Sequence, residues 1–375
     1  MHTSQNRHTV SRTRNATIRR AVTTLTVVGI AAAMMAGCAS AAASPSETSA
    51  GDAGPSVDEL RLGYFANVTH APALVGLEEG LFQDAVGDDV TITTQVFNAG
   101  PAAIEALTAG AIDATYIGPN PSINTFIQSG GESARIIAGA ATGGAALVVR
   151  DGIDDPADLE GTTIATPQLG NTQDVAARVW LADQGFETDT SGGGDVQITP
   201  TENAQTLTLF QDGQLDGAWL PEPWVSRLVI DAGAHVLQDE ADLWEDGEFP
   251  TTVLLVRKEF LDEHPDVVAQ LLKGHEAAVQ WIADNAGEAP TVINDAIEKE
   301  TGKPLADAVI QRALEHVTFS VDPHADTFET LVDNGIQAGT QKDGSIEGLF
   351  DLRLLNKQLE AEGEEPISAA GLGED

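Results

Sequence analysis

The sequence predicts an α/β protein of two lobes, each with a mostly parallel sheet flanked by helices, and a ligand cleft between them. Three observations carry this. From Glu59 onward strand-like and helix-like segments alternate, the signature of a parallel sheet with helices on both faces. The alternation starts afresh at Thr162. A chain of 375 residues also exceeds the usual size of one core. Hydrophobic residues at 42% and aromatics at 5% imply an aliphatic core and argue against disorder over most of the length.

The first twenty residues hold Arg7, Arg12, Arg14, Arg19 and Arg20 without an acid, and the apolar run from Ala21 to Met35 is short for a membrane-spanning helix. Residues 1–37 therefore read as a secretory signal peptide. The only cysteine, Cys38, follows directly in Met35-Ala36-Gly37-Cys38. This resembles the bacterial lipobox, with Met35 where Leu is usual, and implies lipidation of Cys38 and an extracytoplasmic protein anchored to the cell membrane by lipid alone. With one Cys, no intrachain disulfide can form. Residues 38–56 lack aromatic and branched aliphatic side chains after the cysteine and read as a flexible tether with a reach of about 25 Å.

In the first series, ELRLGYF, TITTQVF, DATYIG and ARIIAGA are strands, with helices expected near 70–82, 101–109 and 121–128. The second series has TTIATP, VQITP, DGAWLP and HVLQ as strands, with helices at 172–183 and near 203–211 and 223–231. An offset of 103 superposes the third strands, pairing Gly110 with Gly213, Asp113 with Asp216 and Tyr116 with Trp219. Both strands end in a turn rich in proline, GPNP and PEPW. TTVLLVRK at 251–258 is a further strand, and the remainder is mainly helical, with Val268, Leu271, Leu272, Val279 and Ile282 on one face. Residues 57–149 are thus expected as the first part of lobe 1 and 150–254 as lobe 2. Residues 255–360 then return to lobe 1, and 361–375 form a solvated acidic tail.

In open parallel sheets, ligands bind beyond the carboxyl ends of the strands, where helix N-termini present unpaired N–H groups. VTHAPAL, FNAGPAA, IGPNPSIN, ATPQLGNTQD and WLPEPW occupy such places. The GNT turn stands out: Gly170 permits close backbone approach, and Asn171 and Thr172 add side-chain polar groups at a helix start. An ordinary helix cap fits the same residues. Trp219 and Trp224, with Tyr64, Phe65 and Tyr116, would either wall a pocket or plug a core. Glu222 is open to three roles: meeting a ligand ammonium, capping a helix, or facing solvent. His70 lies in the first turn, as a functional group or a plain helix-start residue.

The formal charge is −39, and beyond residue 37 it is −44, from 14 Lys and Arg against 58 Asp and Glu. Such a polyanion repels phosphate backbones and anionic head groups, which excludes nucleic acid and direct electrostatic membrane contact as partners. Between Leu62 and Val256 the only cations are Arg135, Arg150, Arg178 and Arg227. An anionic ligand must therefore be held mainly by dipolar donors, each contributing about 1.5–3 kcal/mol. The sequence has no G-x-S-x-G, H-E-x-x-H, Walker A or strand-following G-x-G-x-x-G motif, and calls for neither cofactor nor metal. His264 and His275, expected on a helix surface, match no metal spacing.

LRLGYFANVTHAPALVGLEEGLF, TQVFNAGPAAIEALTAGAIDATYIGPNPSIN, IATPQLGNTQDVAARVWL and DGAWLPEPWVSRLV together resemble the aliphatic sulfonate, nitrate and taurine group of ABC importer binding proteins, nearest its alkanesulfonate branch. The resemblance implies a monomeric type II periplasmic-binding fold that closes on a small anionic solute and delivers it to a permease driven by an ATPase. Catalysis is not implied. It places an aliphatic sulfonate at Asn171 and Thr172 and at Thr69, His70 and Ala71. Asn98, Gly100, Pro119 and Asn120 would line one wall, Glu222 and Trp224 the other. Nitrate, taurine, an aromatic acid or a thiamine pyrimidine precursor are alternative solutes within the group. A secreted enzyme using Glu222 and His70 as acid and base is the competing reading.

Overall fold

The computed structural model describes residues 54–375, so the signal peptide, Cys38 and the tether through residue 53 lie outside the described residues. Ser56, the last tether residue, is fastened: its N–H and hydroxyl donate to Asp266, and the hydroxyl also meets His264 Nδ1.

Lobe 1 opens with β1 (Glu59–Tyr64), α1 (Ala71–Glu78), α2 (Leu81–Val86), β2 (Thr91–Val96), α3 (Gly100–Thr108), β3 (Ala114–Ile117), α4 (Pro119–Ser129) and β4 (Ala134–Gly143). Lobe 2 contains β5 (Ala145–Val149), β6 (Thr163–Thr166), α5 (Thr172–Asp183), β7 (Gln197–Pro200), α6 (Asn203–Gln211), β8 (Gly217–Pro221), α7 (Trp224–Ala232) and β9 (His235–Asp239). The return comprises β10 (Pro250–Arg257), α8 (Lys258–Glu263), α9 (Pro265–Asp284), α10 (Ala289–Thr301), α11 (Asp307–Glu315), β11 (Val317–Thr318), α12 (Phe328–Gln337), β12 (Phe350–Asp351), α13 (Arg353–Glu362) and β13 (Gly373–Glu374).

The first sheet runs β13-β12-β4-β10-β3-β1-β2, with β11 also on β4, and the second runs β7-β6-β8-β5-β9. The two share a core plan. In each, three parallel strands in the order second, first, third are followed by one antiparallel strand, β10 or β5. β10 is a continuous apolar run, as a strand covered on both faces requires: Val253, Leu254, Leu255 and Val256 are fully buried, and each such side chain contributes about 1.5–3 kcal/mol.

The internal repeat reappears as matching bonds. Asp113 accepts the Arg61 N–H and pairs with Arg257 of the antiparallel strand's end. Asp216 likewise accepts the Thr163 N–H and pairs with Arg150 at the end of β5. Each lobe is thus clasped at the same corner by an Asp and an Arg.

The crossings between lobes fall a few residues before those expected at 149/150 and 254/255. β4 ends in lobe 1 at Gly143 and β5 begins in lobe 2 at Ala145, so AALVV, read in sequence as part of lobe 1, is a lobe 2 strand. Gly143 and Gly144, at φ of 74° and 71°, take the chain between sheets through backbone geometry that favours glycine. The return lies at the start of β10, where Pro250 sits opposite Thr142 and the Thr251 hydroxyl bonds the Gly143 carbonyl. The two crossings are therefore adjacent, as a hinge requires.

Two further expectations change. Residues 361–375 are not simply solvated: Ala369 and Leu372 are buried and β13 pairs in parallel with β12, because this segment covers an exposed sheet edge. His275 is not a surface residue. It is fully buried on the face of α9 that meets the sheet, between the Tyr116 hydroxyl at 2.8 Å and the Gly139 carbonyl at 2.7 Å. Burial lowers its pKa to about 4.

Candidate functional site

The carboxyl ends of β1, β2 and β3 in lobe 1 face those of β6 and β8 in lobe 2 across a closed cavity. The turns that follow these strands line it: Phe65, Asn67, Thr69 and His70 after β1, Asn98 to Gly100 after β2, and Gly118 and Pro121 after β3. Lobe 2 supplies Pro167, Asn171, Thr172 and Gln173 after β6, Asn203 at the start of α6, and Pro221, while Thr251 comes from the hinge strand. Its volume is about 20 Å³. That is room for a water or two, or for a compact polar group.

No lining side chain is charged except by protonation of His70, and His70 stays neutral. Its ring is 2% exposed, burial lowers its pKa to about 3, and Nδ1 accepts the Phe65 N–H at 3.3 Å, which leaves the proton on Nε2. The four arginines between Leu62 and Val256 are engaged elsewhere. Arg178 pairs with Asp174, Arg150 with Asp216, Arg135 lies over Phe126, and Arg227 lies over Trp224 outside this cavity.

The N-terminus of α5 is the most fully built element of the site. Asn171 Oδ1 accepts the Asp174 N–H at 3.0 Å, and the Asn171 carbonyl accepts the Val175 N–H as the helix's first internal bond, so the cap satisfies one orphan donor and leaves those of Thr172 and Gln173. Asp174 pins the turn from below, accepting the Thr166 hydroxyl at 2.8 Å, the Gly170 N–H at 2.9 Å and Arg178 Nε at 3.0 Å. Two lining atoms, Thr172 Oγ1 and Asn203 Oδ1, are buried without a hydrogen-bond partner. A buried polar atom of this kind calls for one.

Six of the expected residues thus meet at the cavity: Thr69, His70, Asn98, Gly100, Asn171 and Thr172. Others lie elsewhere. Ala71 is buried in the first turn of α1, Pro119 opens α4 outside the cavity lining, and Asn120 Nδ2 donates to the Leu331 carbonyl. Gly170 lines a separate groove with Leu169, Thr190 and Thr340. Trp219 is a core plug, 5.8 Å from Trp180 and donating to Glu240 at 2.7 Å. Tyr116 is likewise fully buried. Glu222 accepts the Ser226 N–H and hydroxyl and pairs with Arg312 at 2.9 Å, behind the cleft; burial raises its pKa to about 7. It does not share the cavity with His70, so the two do not form an acid and base pair. Trp224 faces an adjoining outer chamber and donates across the lobes to Asn67 Oδ1 at 2.8 Å.

Asn67, Asn203 and Thr251 lie outside the expected turns, and Gly118, Gln173 and Pro221 lie within them without having been singled out. The internal repeat held a signal for two of them, since the same offset of 103 carries Gly100 to Asn203 and Gly118 to Pro221.

Known proteins share this architecture. A Bacillus subtilis (strain 168) protein provisionally named an aliphatic sulfonates-binding protein is 27% identical over 260 residues, covering 68% of this chain and 73% of its own. The alkanesulfonate-binding protein SsuA from Xanthomonas axonopodis pv. citri, solved bound to MOPS, superposes with a TM-score of 0.64 at 21% identity over 76% of this chain and 95% of that one. The ligand binding component of an ABC-type import system from Staphylococcus aureus, solved with zinc bound, gives 0.65 at 12% identity over 80% and 98%. Among the described residues here, no group of three or more His, Cys, Asp or Glu could hold a metal ion. The superpositions show the periplasmic-binding-protein fold, and the NMT1-like family profile matches residues 53–294, so the chain belongs to the NMT1-like family.

Proposed function

We propose that this protein is the extracytoplasmic solute-binding component of a bacterial ABC importer, capturing a small organic anion between its lobes and presenting it to a permease coupled to an ATPase. An aliphatic sulfonate is the leading solute. The single observation that carries the reading is the uncharged, interlobe cavity, where helix starts of both lobes converge around the unpartnered hydroxyl of Thr172. A sulfonate or similar oxyanion accepts from several N–H and O–H donors at once, which offsets its desolvation without a cation. The names of the relatives support the same class of ligand and the same assembly. Hinge bending at the adjacent crossings would open and close the cavity. Cys38, lipidated, would hold the protein at the membrane.

The test is a melting-curve and fluorescence screen with taurine, short alkanesulfonates, nitrate, sulfate and aromatic acids. Trp224, which bonds across the lobes, is the reporter of closure, and Trp224→Phe should remove most of the fluorescence change. Alkanesulfonates should raise the melting temperature in proportion to the logarithm of their concentration. A panel without a single shift would refute the sulfonate reading.

A further inference from the structure

Beside the closed cavity lies a chamber of about 700 Å³. The two share Asn67, Asn98 and Asn203 as a common wall. That wall consists of contacts between lobes, Trp224 Nε1 to Asn67 Oδ1 at 2.8 Å and the Asn203 N–H to Asn98 Oδ1 at 3.4 Å. The chamber differs from the cavity in chemistry. Phe97, Leu207, Trp224 and Leu305 give it apolar walls, and it contains two cations, Arg227 from lobe 2 and Lys303 from the return segment of lobe 1. Arg227 lies 4.7 Å from the Trp224 ring centroid, an arrangement that leaves its N–H fork available to an oxyanion. Its neighbour Asp231, also in the chamber, is 3.6 Å away, and both are about one-third exposed, so solvent weakens that pair. Lys303 has no carboxylate within 4.0 Å among the described residues.

We propose that this chamber is the subsite for the far end of the solute, and that the solute is an elongated organic acid with two acidic groups. One group occupies the inner cavity, the body lies along Phe97 and Trp224 after displacing the amide side chains of the shared wall, and the second group sits between Arg227 and Lys303. This rests on the transport-receptor reading above. Because the two cations come from opposite lobes, a group bound by both holds the lobes together, so the second acid favours the closed form as well as adding contacts. The overall field of a chain at −44 disfavours a dianion relative to a monoanion. A preference for the dianion must therefore arise locally.

Titration calorimetry with unbranched terminal alkanedisulfonates, from propane to hexane, against monosulfonates of equal length tests this. The wild type is compared with Arg227→Gln, Lys303→Gln and the double variant, each checked for folding by its melting curve without ligand. The best disulfonate should bind at least about tenfold more tightly than its monosulfonate, and that ratio should fall to about one in the double variant. A wild-type ratio of one or less overturns the inference, as does a preference that survives in the double variant. Monosulfonate binding in those cases leaves the receptor reading standing. Failure of every sulfonate to bind removes that reading, and this inference with it.

Discussion

Thr172 Oγ1 is buried in the closed cavity with nothing to bond, which costs free energy until a ligand supplies a partner. Thr172→Val removes the hydroxyl at nearly constant volume. The melting temperature without ligand should be unchanged or higher, while affinity for the best anion should fall about tenfold, the equivalent of one hydrogen bond to a charged group. Calorimetry together with a melting curve checks both. Equal affinity would place the ligand away from α5. Asn171→Ala is a poorer probe, because loss of the α5 cap alone costs about 1 kcal/mol of stability. The sequence exposed this turn through its capping chemistry, which is local. It left Trp219 open between cleft and core and Glu222 open among three roles, because their surroundings are not. Trp219 sits at the middle of β8, where its side chain could face either side of the sheet, and what settles it is Trp180 on α5 and Glu240 beyond β9. Glu222 finds Arg312 ninety residues along the chain, on a helix whose docking against α7 no local pattern records.

Elements with strong ends were legible: α5 was expected at 172–183 and α6 at 203–211, and both are found there. β5 was missed because the apolar run continues through Gly143 and Gly144, and hydrophobicity does not reveal where a strand changes sheets. Contacts between element ends were also invisible, and one of them lies where the two lobes meet. The β3–α4 turn of lobe 1 approaches α5 of lobe 2 so closely that a Cβ on Gly118 would lie 2.4 Å from Thr172 Oγ1. Gly118 has a φ of −71°, open to any residue, so Gly118→Ala strains only the closed arrangement. Its unliganded melting temperature should match the wild type, while affinity falls by about a hundredfold as closure is obstructed. Small-angle scattering with saturating ligand should show the variant remaining extended where the wild type contracts. Full compaction at wild-type affinity would mean that Thr172 turns aside and that Gly118 is not needed for closure.

At the scale of the molecule, the two-lobe plan was legible because each lobe repeats one order of strands, and the repeat is realised down to the paired clasps at Asp113 and Asp216. Charge was legible as a total, whereas its placement was not: all four arginines between Leu62 and Val256 stand outside the inner cavity. An anion approaching therefore meets the field of a body at −44 with no cation at the final site to counter it. That repulsion extends over a Debye length, about 30 Å at 0.01 M salt and about 8 Å at 0.15 M. The association rate of a monoanionic sulfonate should therefore rise several-fold between those ionic strengths, the reverse of electrostatic steering, while dissociation from the closed cavity changes little. Stopped-flow measurement of the Trp224 signal gives both rates. A neutral ligand of similar size should associate at a rate independent of salt, which separates screening from any effect of salt on the hinge. If the anion's rate falls as salt rises, the local field of Arg227 and Lys303 at the outer chamber outweighs that of the whole surface, and anions reach the cavity by attraction through that chamber.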